Sequence, residues 1–408
     1  MKHCYLLVYF FLLSNVSLFS QELSNMYDSA LEKQKKGEYT HAIDVYSTLL
    51  AKSPYYFEAY VGRAQCYEAL KKYDEAIKDY TLAIEKHPTY YQAYFYRAQL
   101  YFSIKKDHKK ALTDLQQLIQ LKSNYYDAFL LRGDVYMALA QYPESVADFS
   151  KAIELKNNVW DPYYKRAEVY MSMDKSKEAI ADLTKVITMR KDFPDAYFHR
   201  GRLWQEASEY ALALADYKKV QQLGVETEDL YQQKADVHYE LKQYKEALED
   251  YTFLINKFKK RQAEWYSKRG VCYTTLGDSI NAQKDFTKAI SLDKNNYLIY
   301  VYRAENHVKR NRISSALLDY TKALALSPKS WDIYMSRGKV FLEKEKYDEA
   351  IADFSLAIKY NARLGEAYFY RGACKDAIKD AEGACADLKK AASLHHQEAE
   401  RRLKNYCM

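Results

Sequence analysis

The chain has 408 residues, a net charge of +7 and 42 tyrosines. Acidic and basic residues are interspersed without a long block of one sign, which excludes an electrostatic footprint for nucleic acid. Length alone allows two or three globular domains, but small residues recur so regularly that a solenoid, which grows without enlarging one core, is expected instead.

Residues 1–20 differ from the rest. Lys2 and His3 precede an apolar run from Cys4 to Leu13, Ser14 to Ser20 is more polar, and Gln21-Glu22 opens the remainder of the chain. The pattern predicts a signal peptide cut near Ser20. The alternative is an uncleaved anchor at 4–19, although a membrane span needs about twenty apolar residues. That segment is the chain's one expected route to a membrane. A cut near Ser20 implies export, with a periplasmic or secreted mature chain. The one Asn-X-Ser/Thr sequon, at Asn15, lies in the leader, which points to a bacterial envelope.

From Leu23 a repeat of 34 or 35 residues recurs eleven times. Repeats begin at Leu23, Phe57, Tyr91, Tyr126, Trp160, Pro194, Glu228, Ala263, Tyr297, Trp331 and Gly365. Position 8 is small throughout, from Ala30 and Ala64 to Gly338 and Gly372. Position 20 is small as well, from Ala42 and Ala76 to Ala384. Position 4 is aromatic in every repeat but the first, position 11 is mostly aromatic, and position 24 is Tyr, Phe or Leu. Positions 4, 8 and 11 share one helix face and 20, 24 and 27 share another. Each repeat therefore reads as an antiparallel helix pair, all-α, and a period near 34 marks a helical solenoid. Two one-residue slips are needed, one near Lys105–Lys110 and one before Tyr266. The six prolines fall at or beside expected helix ends, and Gly37 and Gly277 fall in turns.

This pattern resembles the tetratricopeptide repeat family over residues 23–396. Repeat two carries the family's marks at Tyr60, Ala64, Tyr67, Ala76, Tyr80, Ala83 and Pro88. The resemblance implies a right-handed superhelix whose first helices line a concave groove for peptides of partner proteins. Residues 397–408 read as a closing helix and tail.

Position 7 is basic and position 23 is Asp from repeat two onward. Ten interhelical ion pairs are expected, among them Arg63 with Asp79, Arg132 with Asp148, Arg166 with Asp182, Arg200 with Asp216, Arg303 with Asp319 and Arg337 with Asp353. The first repeat has Ser29 and Val45 instead.

The resemblance places positions 2, 5, 9, 12 and 13 on the concave face. Position 5 supplies Phe95, Leu130, Tyr164 and Phe198, and position 12 supplies Phe102, Met137 and Met171. Gln99, Asp134, Glu168 and Arg202 stand between them at position 9. An apolar stripe with polar neighbours suits a peptide with hydrophobic anchors. The stripe breaks at Gln232 and Ser267. The bland alternative is that these side chains pack against the next repeat.

No P-loop, G-x-G-x-x-G, G-x-S-x-G or H-E-x-x-H occurs. No cofactor, metal or catalytic residue is expected, and five cysteines after the leader are too few for a disulfide framework. A Cys374–Cys385 bond stays open, since the two lie level in one repeat. His238 and His307 replace the position-11 aromatic and read as core. The expected function is a non-catalytic scaffold for partner proteins; the alternative is a glycan- or peptide-capturing accessory of an uptake or secretion system.

Overall fold

The computed structural model describes residues 2–258 and 262–406, with side chains from 19 to 403 outside 259–261. All elements among them are helices. The first run is α1 (Lys2–Lys35), α2 (Tyr39–Lys52), α3 (Phe57–Ala69), α4 (Tyr73–Lys86), α5 (Tyr91–Ser103), α6 (His108–Leu121), α7 (Tyr126–Ala138), α8 (Tyr142–Leu155), α9 (Asp161–Ser172) and α10 (Ser176–Met189). Then come α11 (Pro194–Glu206), α12 (Tyr210–Gln222), α13 (Glu228–Glu240), α14 (Tyr244–Phe258), α15 (Ala263–Thr275), α16 (Ser279–Leu292) and α17 (Tyr297–Lys309). The last are α18 (Ile313–Leu326), α19 (Trp331–Glu343), α20 (Tyr347–Tyr360), α21 (Gly365–Ala377), α22 (Ala381–Ser393) and α23 (Gln397–Tyr406). From Leu23 the odd and even helices form the two arms of successive repeats. The chain divides into two halves, Met1–Arg200 and Gly201–Met408.

Both irregularities in the period have a local cause. Four residues separate α5 from α6, where three separate α3 from α4. The second slip falls after α14, which has 15 residues against 14 in α4; residues 259–261 lie outside the described ones. α1 runs without a break through the expected cleavage point, and the side chains of residues 1–18 lie outside the described residues. No described helix is long and apolar enough to cross a membrane.

The small residues at positions 8 and 20 are buried in both halves. What they admit is the side chain at position 24. A Cβ built on Gly133 would lie 2.6 Å from Phe149, on Gly270 2.6 Å from Phe286, and on Gly338 2.8 Å from Phe354. Where position 24 is Leu, position 8 is Ala in two repeats, Ala98 with Leu115 and Ala167 with Leu183, and Gly in the last, Gly372 with Leu388. Position 24 itself is fully buried at Tyr46, Tyr80, Phe149, Tyr217, Tyr251, Phe286 and Phe354. A Phe on one arm thus goes with Gly on the other, which is close packing felt at single-carbon resolution.

Turns obey one backbone rule. Position 15 has positive φ in every repeat, yet only Gly37 and Gly277 are glycine there. Lys71, Lys106, Ala140, Asp174, Ser208, Lys242, Asn311, Glu345 and Lys379 hold the left-handed conformation with a side chain, at a cost of about 1–2 kcal/mol each. The next residue's amide hydrogen-bonds back into the first helix, as Lys72 to Tyr67 and Gln141 to Tyr136. This closes the helix end and sets the antiparallel return.

In several repeats the tyrosine hydroxyl at position 4 ties the loop before the first helix. Tyr94 donates to the carbonyl of Pro88 at 3.1 Å, Tyr300 to Lys294 at 3.2 Å and Tyr334 to Pro328 at 3.2 Å. At the end of the chain, α23 lays Ala399 and Leu403 on Phe369, Leu388 and Ala391. His396 stacks on Phe369 at 4.4 Å. Cys66, Cys272 and Cys374 are free and buried, and burial pushes the Cys66 and Cys374 thiols up to about 11. Cys385 is disulfide-bonded, so the bond weighed between Cys374 and Cys385 is not the one formed.

Candidate functional site

The charged rungs organise the first helices and must be separated from what remains free to bind. Arg63 donates through Nε and Nη2 to Asp79 at 2.7 and 2.8 Å. The same fork joins Arg97 to Asp114, Arg132 to Asp148 and Arg166 to Asp182 in the first half. In the second half it joins Arg269 to Asp285, Arg303 to Asp319, Arg337 to Asp353 and Arg371 to Asp387. Lys234 meets Asp250 at 3.0 Å. Arg200 donates to Thr184 at 3.0 Å, and Asp216 is buried. The carboxylates are almost fully buried, from Asp79 at 3% exposure to Asp250 at 7%. Burial pushes the Asp148 carboxyl up while Arg132 pulls it down; the bond to Asp182 holds Arg166 charged. Bidentate geometry of this kind offsets desolvation of the two ions, for Asp114 and Asp148 only in part, since both carboxyls stay raised.

Two further parts of each rung emerge only in three dimensions. First, the guanidinium lies between the rings at positions 4 and 11: Arg132 is 5.6 Å from Phe129 and 5.7 Å from Tyr136, and Arg166 is 5.9 Å from Tyr163 and 5.8 Å from Tyr170. Cation–π contact therefore accounts for much of the tyrosine excess. Second, Nη1 reaches a hydroxyl at position 25 of the preceding repeat. Arg63 donates to Ser47 at 2.9 Å, Arg97 to Thr81 at 2.9 Å, Arg166 to Ser150 at 2.8 Å, Arg337 to Thr321 at 2.9 Å and Arg371 to Ser355 at 3.0 Å. Recurrence of Ser or Thr at that position was the available signal. These arginines are consumed by structure.

The remaining first-helix face is partly committed as well. In the first half, Phe95, Phe102, Leu130, Met137, Tyr164, Met171 and Phe198 are half-buried, and Gln99 is exposed. Position 5 leans on the residue that precedes the next repeat. Phe95 meets Tyr125 edge-on at 5.4 Å, and Tyr164 meets Phe193 at 5.0 Å. Packing on the next repeat and an apolar surface thus coexist in the same side chains. Between them Asp134 is joined to Lys165 at 2.8 Å. Burial, only partly offset by Lys165, pushes the Asp134 and Glu168 carboxyls up; Asp161 adds to both.

In the second half the face changes character. Arg202 is exposed and lies 3.9 Å from Glu206. Asp236 accepts from Tyr251 at 2.6 Å and from Lys268 at 2.7 Å. A polar cavity of about 380 Å³ opens between α11, α13 and α15, where the apolar stripe is broken. His238 is buried, its Nδ1 2.8 Å from Asp250. His307 is buried near Asp319 at 3.7 Å, and desolvation lowers its pKa. Among the described residues no group of three or more His, Cys, Asp or Glu could hold a metal ion.

No curated protein matches the sequence. The chain is similar in fold to several solved structures. YrrB, described as a TPR protein with an unusual peptide-binding site, shares 21% identity over 48% of this chain and 97% of its own, with a TM-score of 0.42. The MamA protein shares 21% over 41% of this chain and 91% of its own, with a TM-score of 0.40. A tetratricopeptide repeat protein from Parabacteroides merdae shares 18% over 62% of this chain and 98% of its own, with a TM-score of 0.41. Family matches described as tetratricopeptide repeat cover residues 57–90, 92–121, 164–224, 263–296 and 303–363, and one described as TPR repeat covers 133–174. With helix pairs in register through both halves, the chain belongs to the tetratricopeptide repeat family.

Proposed function

We propose that the protein is a non-catalytic interaction scaffold. A segment of a partner protein lies along the first helices of repeats three to six. The carrying observation is what the rungs leave over. Positions 5, 9 and 12 share one side of α5, α7 and α9 and present half-buried apolar groups beside Gln99, Asp134 and Glu168. Membership of a repeat family whose members generally serve as interaction scaffolds supports this. Export by the N-terminal segment, to a bacterial periplasm or exterior, is part of the proposal and rests on residues 1–20. Glycan capture by stacked tyrosines draws less support, because ring faces are already covered by cations: Lys122 over Tyr91 at 4.9 Å, Lys156 over Tyr126 at 4.2 Å and Arg190 over Trp160 at 4.8 Å.

Phe95 and Tyr164 also pack between repeats, so truncating them mixes binding with stability. A cleaner test places a photo-crosslinking residue at exposed Gln99 on α5, and a control at exposed Lys151 on α8. Partner adducts are expected from Gln99 and not from Lys151. Equal adducts from both positions would remove the proposal.

A further inference from the structure

We infer that the polar cavity of repeats six to eight is a subsite for one cationic side chain, lysine or arginine, of the bound partner. The inference rests on the scaffold reading and assigns it a chemistry. α11 contributes Arg202, Gln205 and Glu206, α13 contributes Gln233, Asp236 and Glu240, and α15 contributes Lys268. Their charges do not balance within the site. Lys268 is taken by Asp236 at 2.7 Å and by Glu264 at 2.8 Å. Arg202 is paired, loosely, with Glu206. Glu240 has no ion-pair partner among the described residues and is exposed. Three carboxylates of the lining face two cations, so the cavity carries one uncompensated negative charge in a chain whose net charge is +7.

The neutral lining is oriented as well. Gln205 accepts from Tyr217 at 2.7 Å through Oε1, which turns its NH2 group away from that bond. Gln233 uses Nε2 on Asp229 at 3.2 Å, which leaves its Oε1 as an acceptor. An ammonium or guanidinium needs acceptors around it, and Glu240 and Gln233 Oε1 are acceptors in the lining. A volume of about 380 Å³ takes an extended basic side chain with room for water. An acidic side chain would meet Glu240 and Glu206, and like-charge juxtaposition rejects it. The sequence break at Gln232 and Ser267 is then a change of specificity, from apolar anchors to a charged one.

The test uses the full chain and three blocked amino acids: Nα-acetyl-arginine methylamide, the lysine equivalent and the norleucine equivalent. Binding is read from side-chain amide NMR signals of Gln205 and Gln233. Both basic probes are expected to move these signals saturably, and norleucine is not. Of the two, the one with the higher affinity names the partner residue. E240Q, at an exposed position, should weaken the basic probes about fivefold with helicity unchanged. Equal shifts from norleucine, absent shifts from both basic probes, or an unchanged affinity in E240Q would each overturn the inference. Crosslinking at Gln99 reports on the other half of the chain, so the subsite can fail while the scaffold stands, and the reverse.

Discussion

At the residue scale, one guanidinium does three jobs. Arg166 pairs with Asp182 across its repeat, lies between Tyr163 and Tyr170, and bonds Ser150 in the repeat before. Removing either ion leaves the other buried, so Arg166→Met or Asp182→Leu should each cost about 3 kcal/mol. The double variant should recover part of this, with a coupling of about 1–3 kcal/mol. Ser150→Ala should cost about 1 kcal/mol, the net value of one hydrogen bond. Urea denaturation of the four variants measures all three numbers. A coupling of zero would mean that the pair is ornamental. The ion pairs themselves were legible in the sequence, because Arg and Asp recur in step at positions that lie level in a helix pair. Ser150 was not, because a hydroxyl on a helix surface is usually read as solvated, and its acceptor role needs the neighbouring repeat in place.

At the element scale, the two arms of a repeat are matched in volume. Gly133 exists because Phe149 occupies the space of its Cβ. Gly133→Ala should destabilise by about 1–3 kcal/mol through overpacking. Adding Phe149→Leu should restore most of the loss, since Ala with Leu is the combination already used at Ala98 with Leu115 and Ala167 with Leu183. Thermal unfolding of the single and double variants checks it, and a double variant no better than Gly133→Ala would refute the volume match. Helix ends were well anticipated from Pro143, Pro162 and Pro194, which open α8, α9 and α11. The left-handed turn residue was hidden, because Lys71 and Ala140 carry no compositional mark of positive φ. There the register of the flanking helices overrides local preference.

At the scale of the whole molecule, local charge departs from the net charge of +7. The chain is basic overall, yet the first-helix side of repeats four and five gathers Asp134, Asp161 and Glu168 around Lys165. Burial raises the Glu168 carboxyl above its ordinary 4.5. The folded chain then holds a proton that the unfolded chain gives up, so this group's contribution is fully present below about pH 4.5 and is lost as pH rises through the raised value. Glu168→Gln keeps the shape and removes the titration. Its stability relative to the parent should increase between pH 4.5 and neutrality, as followed by denaturant midpoints across pH; a difference independent of pH would contradict the assignment. The solenoid class was legible because the period is carried by residues that cannot be exchanged freely. The division of the binding face was less so: Phe95 and Tyr164 look like free anchors until Tyr125 and Phe193 are seen against them. The unbalanced Glu240 shows only when three helices are brought side by side.

The hydroxyl at position 25 gives the chain a direction. Arg63, Arg97, Arg166, Arg200, Arg269, Arg337 and Arg371 reach backwards, to a group that left the ribosome earlier, and the first repeat has Ser29 where the others have a base. At those junctions a newly made helix pair meets a finished template that carries the acceptor. There the arrangement favours growth from the amino end, and a repeat lost from the carboxyl end strands none of these arginines, whose Asp partners lie in their own repeats.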